Sequence, residues 1–349
     1  MAATASRASG AGTPSLHLSG GGRYVVGVDL GGTQIRAALC DASGAVLRRV
    51  STLTRADEGP DRVVARIEDS IRQVLLGVDR SEVLGIGLGA PGTVNPWTGV
   101  MTNATNIPGL LNWPARDHLA ESLQIPAFVG NDAKLAALGE YRFGAGQGVT
   151  TLVYLTISTG IGGGVVERGR LYLGAHGWAT ELGHTIVEPH GPPCACGGRG
   201  CLEALAAGPA IALQAQERIR AGEASALSGM VEGRPDRISA LEVVAAARSG
   251  DSLAQQVMGR AGFYLGIGMV NFIHAFDPEK IIVGGGVSKA GDLLFSPARA
   301  VIAERAMTQE WRQVPIVPAK LGDDVGLVGA VALVLTERKA GGLTQDRLP

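Results

Sequence analysis

The sequence predicts an α/β protein built of two related halves. Strand-length runs of β-branched apolar residues alternate with stretches at helical spacing along the 349 residues. One local pattern, a strand that breaks on a glycine-rich turn and returns as a second strand, occurs twice, about 125 residues apart. Glycine itself is the compositional outlier, at 52 residues, roughly twice its usual share of about 7%. The glycines cluster at the ends of apolar runs, where a chain turns tightly or comes close to a ligand.

The elements follow in order. Tyr24 to Asp29 is a strand that ends in Gly31-Gly32-Thr33, with returning strands at Ile35 to Cys40 and Val46 to Val50. Pro60 to Leu76 carries Val63, Val64, Ile67, Ile71, Val74 and Leu75 at helical spacing. Val83 to Leu88 is a buried strand running into Gly89-Ala-Pro91-Gly92, and Pro126 to Val129 a short one running into Gly130-Asn131-Asp132. A helix is expected from Ala133 to Tyr141. The pattern then repeats, with strands at Thr151 to Ile157 and Ile161 to Glu167 around Ser158-Thr159-Gly160. Glu203 to Gly250 and Ala261 to His274 read as helical, and Lys280 to Val283 as a strand closing on Gly284-Gly285-Gly286. The domains expected are 23–131, completed by a C-terminal helix near 322–338, and 132–321. Residues 1–22 are expected to be a disordered leader, without the apolar core of a secretory signal, and 339–349 a disordered tail.

Composition excludes several classes. Thirty-one Lys+Arg against 32 Asp+Glu leave a net charge of −1, so neither nucleic acid nor an anionic membrane surface is the expected partner. Aromatics at 4% provide no base-stacking platform, and no apolar run reaches the length of a membrane span. There is no P-loop and no dinucleotide-binding glycine fingerprint. Three of the four cysteines fall between 194 and 201, which suits a metal knot in a reducing, cytoplasmic setting better than a disulfide framework.

The chemistry-bearing residues follow from these positions. Gly31 and Gly32 free backbone N–H groups to face phosphate oxygens, and Asp29 at the strand end could hold Mg²⁺ through water. Ser158-Thr159-Gly160 offers a second such turn, and Gly285-Gly286 a flat backbone for an adenine ring. His184, Cys194, Cys196 and Cys201 form a donor set for a closed, tetrahedral Zn²⁺ site, with His190 as a rival fourth ligand and Cys40 a core residue. Asp132, between a strand and a helix, is either the cap of that helix or a general base. Asn106, Asn131, Glu181 and Glu203 are polar residues in glycine-rich turns, each alone equally readable as a solvated loop residue.

Taken together, V-x-D-x-G-G-T, A-P-G, G-N-D-A, T-G-I-G-G-G, E-L-G-H with C-x-C-G-x-x-G-C-x-E, and G-G-G-V-S, in this order, resemble the ROK family of sugar kinases and sugar-responsive repressors. The resemblance runs from about 23 to 337. It implies the actin-like ATPase (ribonuclease H-like) fold with an interdomain cleft, and ATP-dependent phosphorylation of a hexose at its 6-hydroxyl, glucose first, with fructose, mannose and N-acetylmannosamine as alternatives. It implies Asp132 as the base, and Asn106, Asn131, Asp132, Glu181, His184 and Glu203 as sugar-binding residues. Asp29, Gly31, Gly32, Thr33, Gln34, Thr159, Gly160, Gly285 and Gly286 fall at the ATP positions. Implied cofactors are ATP with Mg²⁺ and a structural Zn²⁺, and the implied assembly is a homodimer or homotetramer. Two residues depart from the family pattern. Gln34 stands where a lysine is usual, and Lys134 where an asparagine is usual, which leaves a sugar-sensing protein without kinase activity as the non-enzyme alternative. A Lys134 directed into the cleft would depress the pKa of Asp132. A repressor would need a DNA-binding module ahead of residue 23, for which the 22 preceding residues leave no room.

Overall fold

The computed structural model describes residues 23–104 and 106–340. The expected leader lies outside these residues, as does the expected tail beyond Ala340. Thirteen strands and ten α-helices are present among the described residues.

The first sheet has the order β3-β2-β1-β4-β8. Its strands are β1 (Tyr24–Leu30), β2 (Gln34–Asp41), β3 (Val46–Leu53), β4 (Val83–Ala90) and β8 (Ala127–Asn131). The first three form an antiparallel meander, and β4 and β8 add in parallel. The second sheet, β11-β10-β9-β12-β13, repeats this plan. It comprises β9 (Thr151–Ile157), β10 (Ile161–Glu167), β11 (Arg170–Leu171), β12 (Lys280–Gly284) and β13 (Ile316–Pro318). Here too the first three strands are antiparallel and the last two parallel. The two related halves expected from the repeated hairpin are thus two sheets of the same order and sense.

Both faces of each sheet are covered, which explains why β1, β4 and β9 read as continuous apolar runs instead of alternating ones. On the outer face of the first sheet, Val26, Val28, Ile86 and Leu88 pack against α1 (Pro60–Val74) and α2 (Ala115–Leu123). On its inner face Val25, Ala38 and Leu84 meet Leu327, Val331 and Val334 of α10 (Val325–Ala340). The second sheet turns Leu152, Tyr154 and Ile282 toward α3 (Asp132–Phe143). Its other face packs on the helical region α4 (Leu202–Ala206), α5 (Gly208–Arg220), α6 (Leu227–Met230), α7 (Ala240–Arg248), α8 (Ser252–Phe276) and α9 (Asp292–Arg305). The helix expected over 261–274 begins earlier, at Ser252, where Asp251 caps it by accepting from the Ala254 N–H at 2.8 Å. A small antiparallel sheet, β5 (Thr93–Asn95), β6 (Val100–Asn103) and β7 (Leu111–Trp113), is inserted between β4 and α2.

Helices α3 and α10 lie back to back between the sheets, and α10 contributes to the cores on both sides. Their contact is backbone on backbone. A Cβ on Gly329 would sit 2.3 Å from the Leu135 carbonyl oxygen, and one on Gly139 would sit 3.0 Å from the Gly329 Cα. Gly329→Ala is therefore expected to destabilise the protein by about 1–3 kcal/mol through overpacking. Gly259→Ala, also within a helix but with nothing within 4 Å of the new Cβ, should stabilise by up to about 1 kcal/mol. Urea unfolding of the two variants checks this, and equal signs would refute the close-crossing account.

The segment entering α10 is pinned by a buried charge. Glu140, fully buried on α3, accepts from the backbone N–H groups of Lys320 (2.9 Å), Leu321 (2.8 Å) and Ala145 (2.7 Å). These bonds satisfy a carboxylate that would otherwise be costly to bury.

Candidate active site

A cavity of about 930 Å³ opens between the two halves. The C-terminal ends of β1 and β4 bring Asp29 and Pro91-Gly92 to it, α3 brings Asp132 and Lys134, and the β9–β10 turn brings Ser158 to Gly160. Asn106, Asn131, Glu181, His184 and Glu203 also line it. Nine of the site positions expected from the sequence, scattered over 175 residues, therefore converge on one space: Asp29, Asn106, Asn131, Asp132, Thr159, Gly160, Glu181, His184 and Glu203.

The ambiguity at the start of α3 resolves in favour of Asn131 as the cap. Its Oδ1 accepts from the Lys134 N–H at 3.1 Å, and its Nδ2 donates to the Gly92 carbonyl at 3.1 Å. Asp132 is left as the first helical residue, facing the cavity, with Oδ1 accepting from the Ala133 N–H at 2.7 Å. Burial raises its pKa to about 6, helped by the negative charges of Asp29 and Glu181, while the Ala133 N–H pulls the other way. The carboxylate is thus mostly ionised at pH 7 yet a far better proton acceptor than an exposed aspartate. Lys134 does not depress it as anticipated. Its ammonium turns to Glu181 (3.3 Å) and to the Gly177 carbonyl (3.1 Å).

The glycine turns expected to hold phosphate differ in detail from expectation. Asp29 pairs with Arg36, whose guanidinium also donates to the Asp323 carbonyl at 2.6 Å. Arg36 lines the cavity and was missed from the sequence. Its signal was the hairpin register, which sets Arg36 opposite Asp29 across the Gly31–Thr33 turn. Gly31, Gly32, Thr33 and Gln34 do not line the cavity wall themselves. The turn closes on itself through the Gly31 N–H to the Gln34 carbonyl at 2.9 Å, and a Cβ on Gly32 would strike that of Asn106 at 2.8 Å. Gly285 has φ +85°, and a Cβ there would meet the Ile157 oxygen at 2.3 Å. The third glycine turn therefore abuts the second, outside the cavity lining. The first residues of α10, Val325 and Gly326, were also missed. A Cβ on Gly326 would lie 2.6 Å from the Asp29 carboxylate carbon.

Beside the cavity, the ligand atoms of His184, Cys194, Cys196 and Cys201 all lie within 4.8 Å of one another. His190 is exposed and outside this cluster. Cys196 and Cys201 sulfurs are 3.6 Å apart, and Cys194 Sγ is 3.7 Å from His184 Nδ1. These are the edges expected of a tetrahedron whose metal–sulfur bonds are about 2.3 Å, so the donor set fits Zn²⁺. The loop is shaped for the cluster. Cys194 N–H donates to the Gly198 carbonyl at 2.9 Å, and a Cβ on Gly200 (φ +67°) would fall 1.6 Å from the Glu188 oxygen. The cluster is tied to the cavity at both ends. His184 Nδ1 faces Cys194 while the residue lines the cavity. Glu203, two residues after Cys201, accepts from the Ile161 N–H at 2.9 Å in the β9–β10 turn.

A family model described as the ROK family matches residues 25–337. The chain belongs to the ROK family. It is 38% identical over 317 residues to a glucokinase of Thermotoga maritima, covering 91% of this chain and 98% of that one. A ROK family glucokinase from Streptomyces griseus, solved in complex with glucose and AMPPNP, is 36% identical with a TM-score of 0.73, over 89% of this chain and 98% of that one. A ROK family transcriptional regulator, a homologue of the E. coli MLC protein, is 30% identical with a TM-score of 0.81, over 90% of this chain and 79% of that one. The fold is thus shared by kinases and regulators of the family, and function has to be argued from the site.

Proposed function

We propose that this chain is an ATP-dependent hexose kinase that phosphorylates glucose at its 6-hydroxyl. The observation that carries the reading is Asp132, an ionisable base with a pKa of about 6, released from capping duty and aimed into the cavity between the halves. The similarity to glucokinases over nine-tenths of the chain points the same way.

In this reading the hexose lies against Asn106, Asn131, Glu181, His184 and Glu203, and Asp132 accepts the proton of the 6-hydroxyl as that oxygen attacks the γ-phosphorus in line, breaking the bond to the β–γ bridging oxygen so that ADP leaves. ATP enters beside the glycine turns 31–34, 159–160 and 285–286, and of these residues and Asp29 it is Asp29, Thr159 and Gly160 that line the cavity and face its phosphates. Asp29 would hold through water the Mg²⁺ that accompanies ATP, and the ion would supply neutralisation of charge on the transferring group. Arg36 supplies a cation that Gln34 lacks. Residues 23–131 with α10 act as one body and 132–321 as the other, and their closure excludes water that would hydrolyse ATP. Zn²⁺ held by His184, Cys194, Cys196 and Cys201 is structural, fixing His184 and Glu203. Family membership also leads us to expect a cytoplasmic homodimer or homotetramer. No helix among the described residues is long and apolar enough to cross a membrane.

The test is ADP release by the purified protein with ATP, Mg²⁺ and a panel of glucose, mannose, fructose and N-acetylmannosamine. Release that is strongest with glucose is expected. Release with another hexose keeps the mechanism and changes the substrate, and no release with any of them from a folded, zinc-loaded sample overturns the reading.

A further inference from the structure

Lys134 is an improbable residue where it stands. It occupies the first turn of α3, where the helix dipole disfavours a cation, and only 5% of it is exposed. A buried ammonium is tolerated only when paired, and its partners all belong to one segment. Nζ donates to the Gly177 carbonyl at 3.1 Å and lies 3.3 Å from Glu181 Oε1. The Glu181 side chain stays 59% exposed, so the ammonium holds it without covering it. Gly177, at φ +77°, is pressed against the tip of the β5–β6 hairpin, where a Cβ would come within 2.3 Å of Pro96. Trp178, beside it, is 57% exposed and lines the cavity. Lys134 thus ties the rigid helix that begins at Asp132 to a segment that carries one sugar-facing carboxylate, one cavity-lining tryptophan and one contact across the cleft.

We propose that Lys134 is a positioning residue that fixes Glu181 and the segment 174–181 against the hexose. This rests on the reading of the cavity as a hexose site. Lys134 itself is assigned no part in the proton transfer, because the partners its ammonium engages are Glu181 and the Gly177 carbonyl. The length of the lysine side chain is what lets one residue of α3 reach both partners.

The test compares wild type with Lys134→Met and with Lys134→Gln, which keeps a donor for the Gly177 carbonyl. Lys134→Met is expected to raise the KM for glucose about tenfold or more while kcat and the KM for ATP change by less than about twofold. Lys134→Gln should fall between. Amide hydrogen exchange in 174–181 should quicken in sugar-free Lys134→Met relative to wild type. In Glu181→Gln, adding Lys134→Met should raise the glucose KM little further, because the two share one interaction. An unchanged glucose KM, additive effects, or a fall in kcat alone would overturn the proposal. Wild type inactive on every hexose would instead end the kinase reading. The exchange comparison needs no sugar, so unchanged exchange would end the Lys134 proposal whatever the wild type does.

Discussion

Asp132→Asn is expected to lose about 10²- to 10⁴-fold in kcat, the range removed with a general base, and to become more stable at the same time. The substitution keeps the shape of the side chain and the acceptor for the Ala133 N–H, so the cavity is preserved and glucose should still bind. What it removes is a buried negative charge close to Asp29 and Glu181. The sign follows from linkage. The folded protein binds this proton more tightly than the unfolded chain does, so stability falls as pH rises from 3.8 to about 6. That displacement corresponds to about 3 kcal/mol, in full above pH 6. Asp132→Asn should therefore raise Tm at pH 8, and the gain should shrink toward zero as pH falls through 6 to 4. The wild-type kcat should fall below pH 6, as the base takes up its proton. An unchanged kcat would remove Asp132 from the chemistry, and a lower Tm at pH 8 would show that its charge is compensated in the fold.

That trade-off also explains which parts of the protein were legible in the sequence. The doubling of the fold was legible because sheets covered on both faces demand uninterrupted apolar strands, and the glycine turns mark where each meander reverses. The three strands β5–β7, of three or four residues each, are too short to show a period. The central place of α10 lies in its all-round apolar character, since VGLVGAVALVL offers no polar face and such a helix must be covered on every side. In the site, the Cys₃His cluster stood out because its thiols and imidazole are chemically distinctive and close in sequence. Asn131 and Asp132 are both good caps, and only the hydrogen bond to the Lys134 N–H assigns the cap to Asn131. Arg36 escaped because its meaning lies in a partner across a hairpin, Asp29, and not in a motif. Lys134 stood out as a departure from the family pattern, but its pairing with Glu181, 47 residues further along the chain, lies in no motif.

Cys196→Ala is expected to strip the protein of zinc and to raise the KM for glucose steeply. Cys196 is the informative ligand because it is exposed, whereas Cys194 and Cys201 are buried. Replacing an exposed thiol in a metal-free loop should change stability by no more than about 0.5 kcal/mol. Removing one ligand from a closed Cys₃His site should instead forfeit much of a binding energy that is of order 10 kcal/mol in structural zinc sites. The size of the effect therefore reports the metal. Its direction in the kinetics reports what the metal does, because the cluster anchors His184 by Nδ1 and places Glu203 two residues beyond Cys201, where it holds the Ile161 N–H. Elemental analysis of the purified wild type should give one zinc per chain, and the variant should give much less, with a lower Tm. Zinc lost with the glucose KM unchanged would mean that the knot does not organise the cavity. A zinc-free wild type that the substitution leaves unaltered would mean that the four residues form no metal site at all.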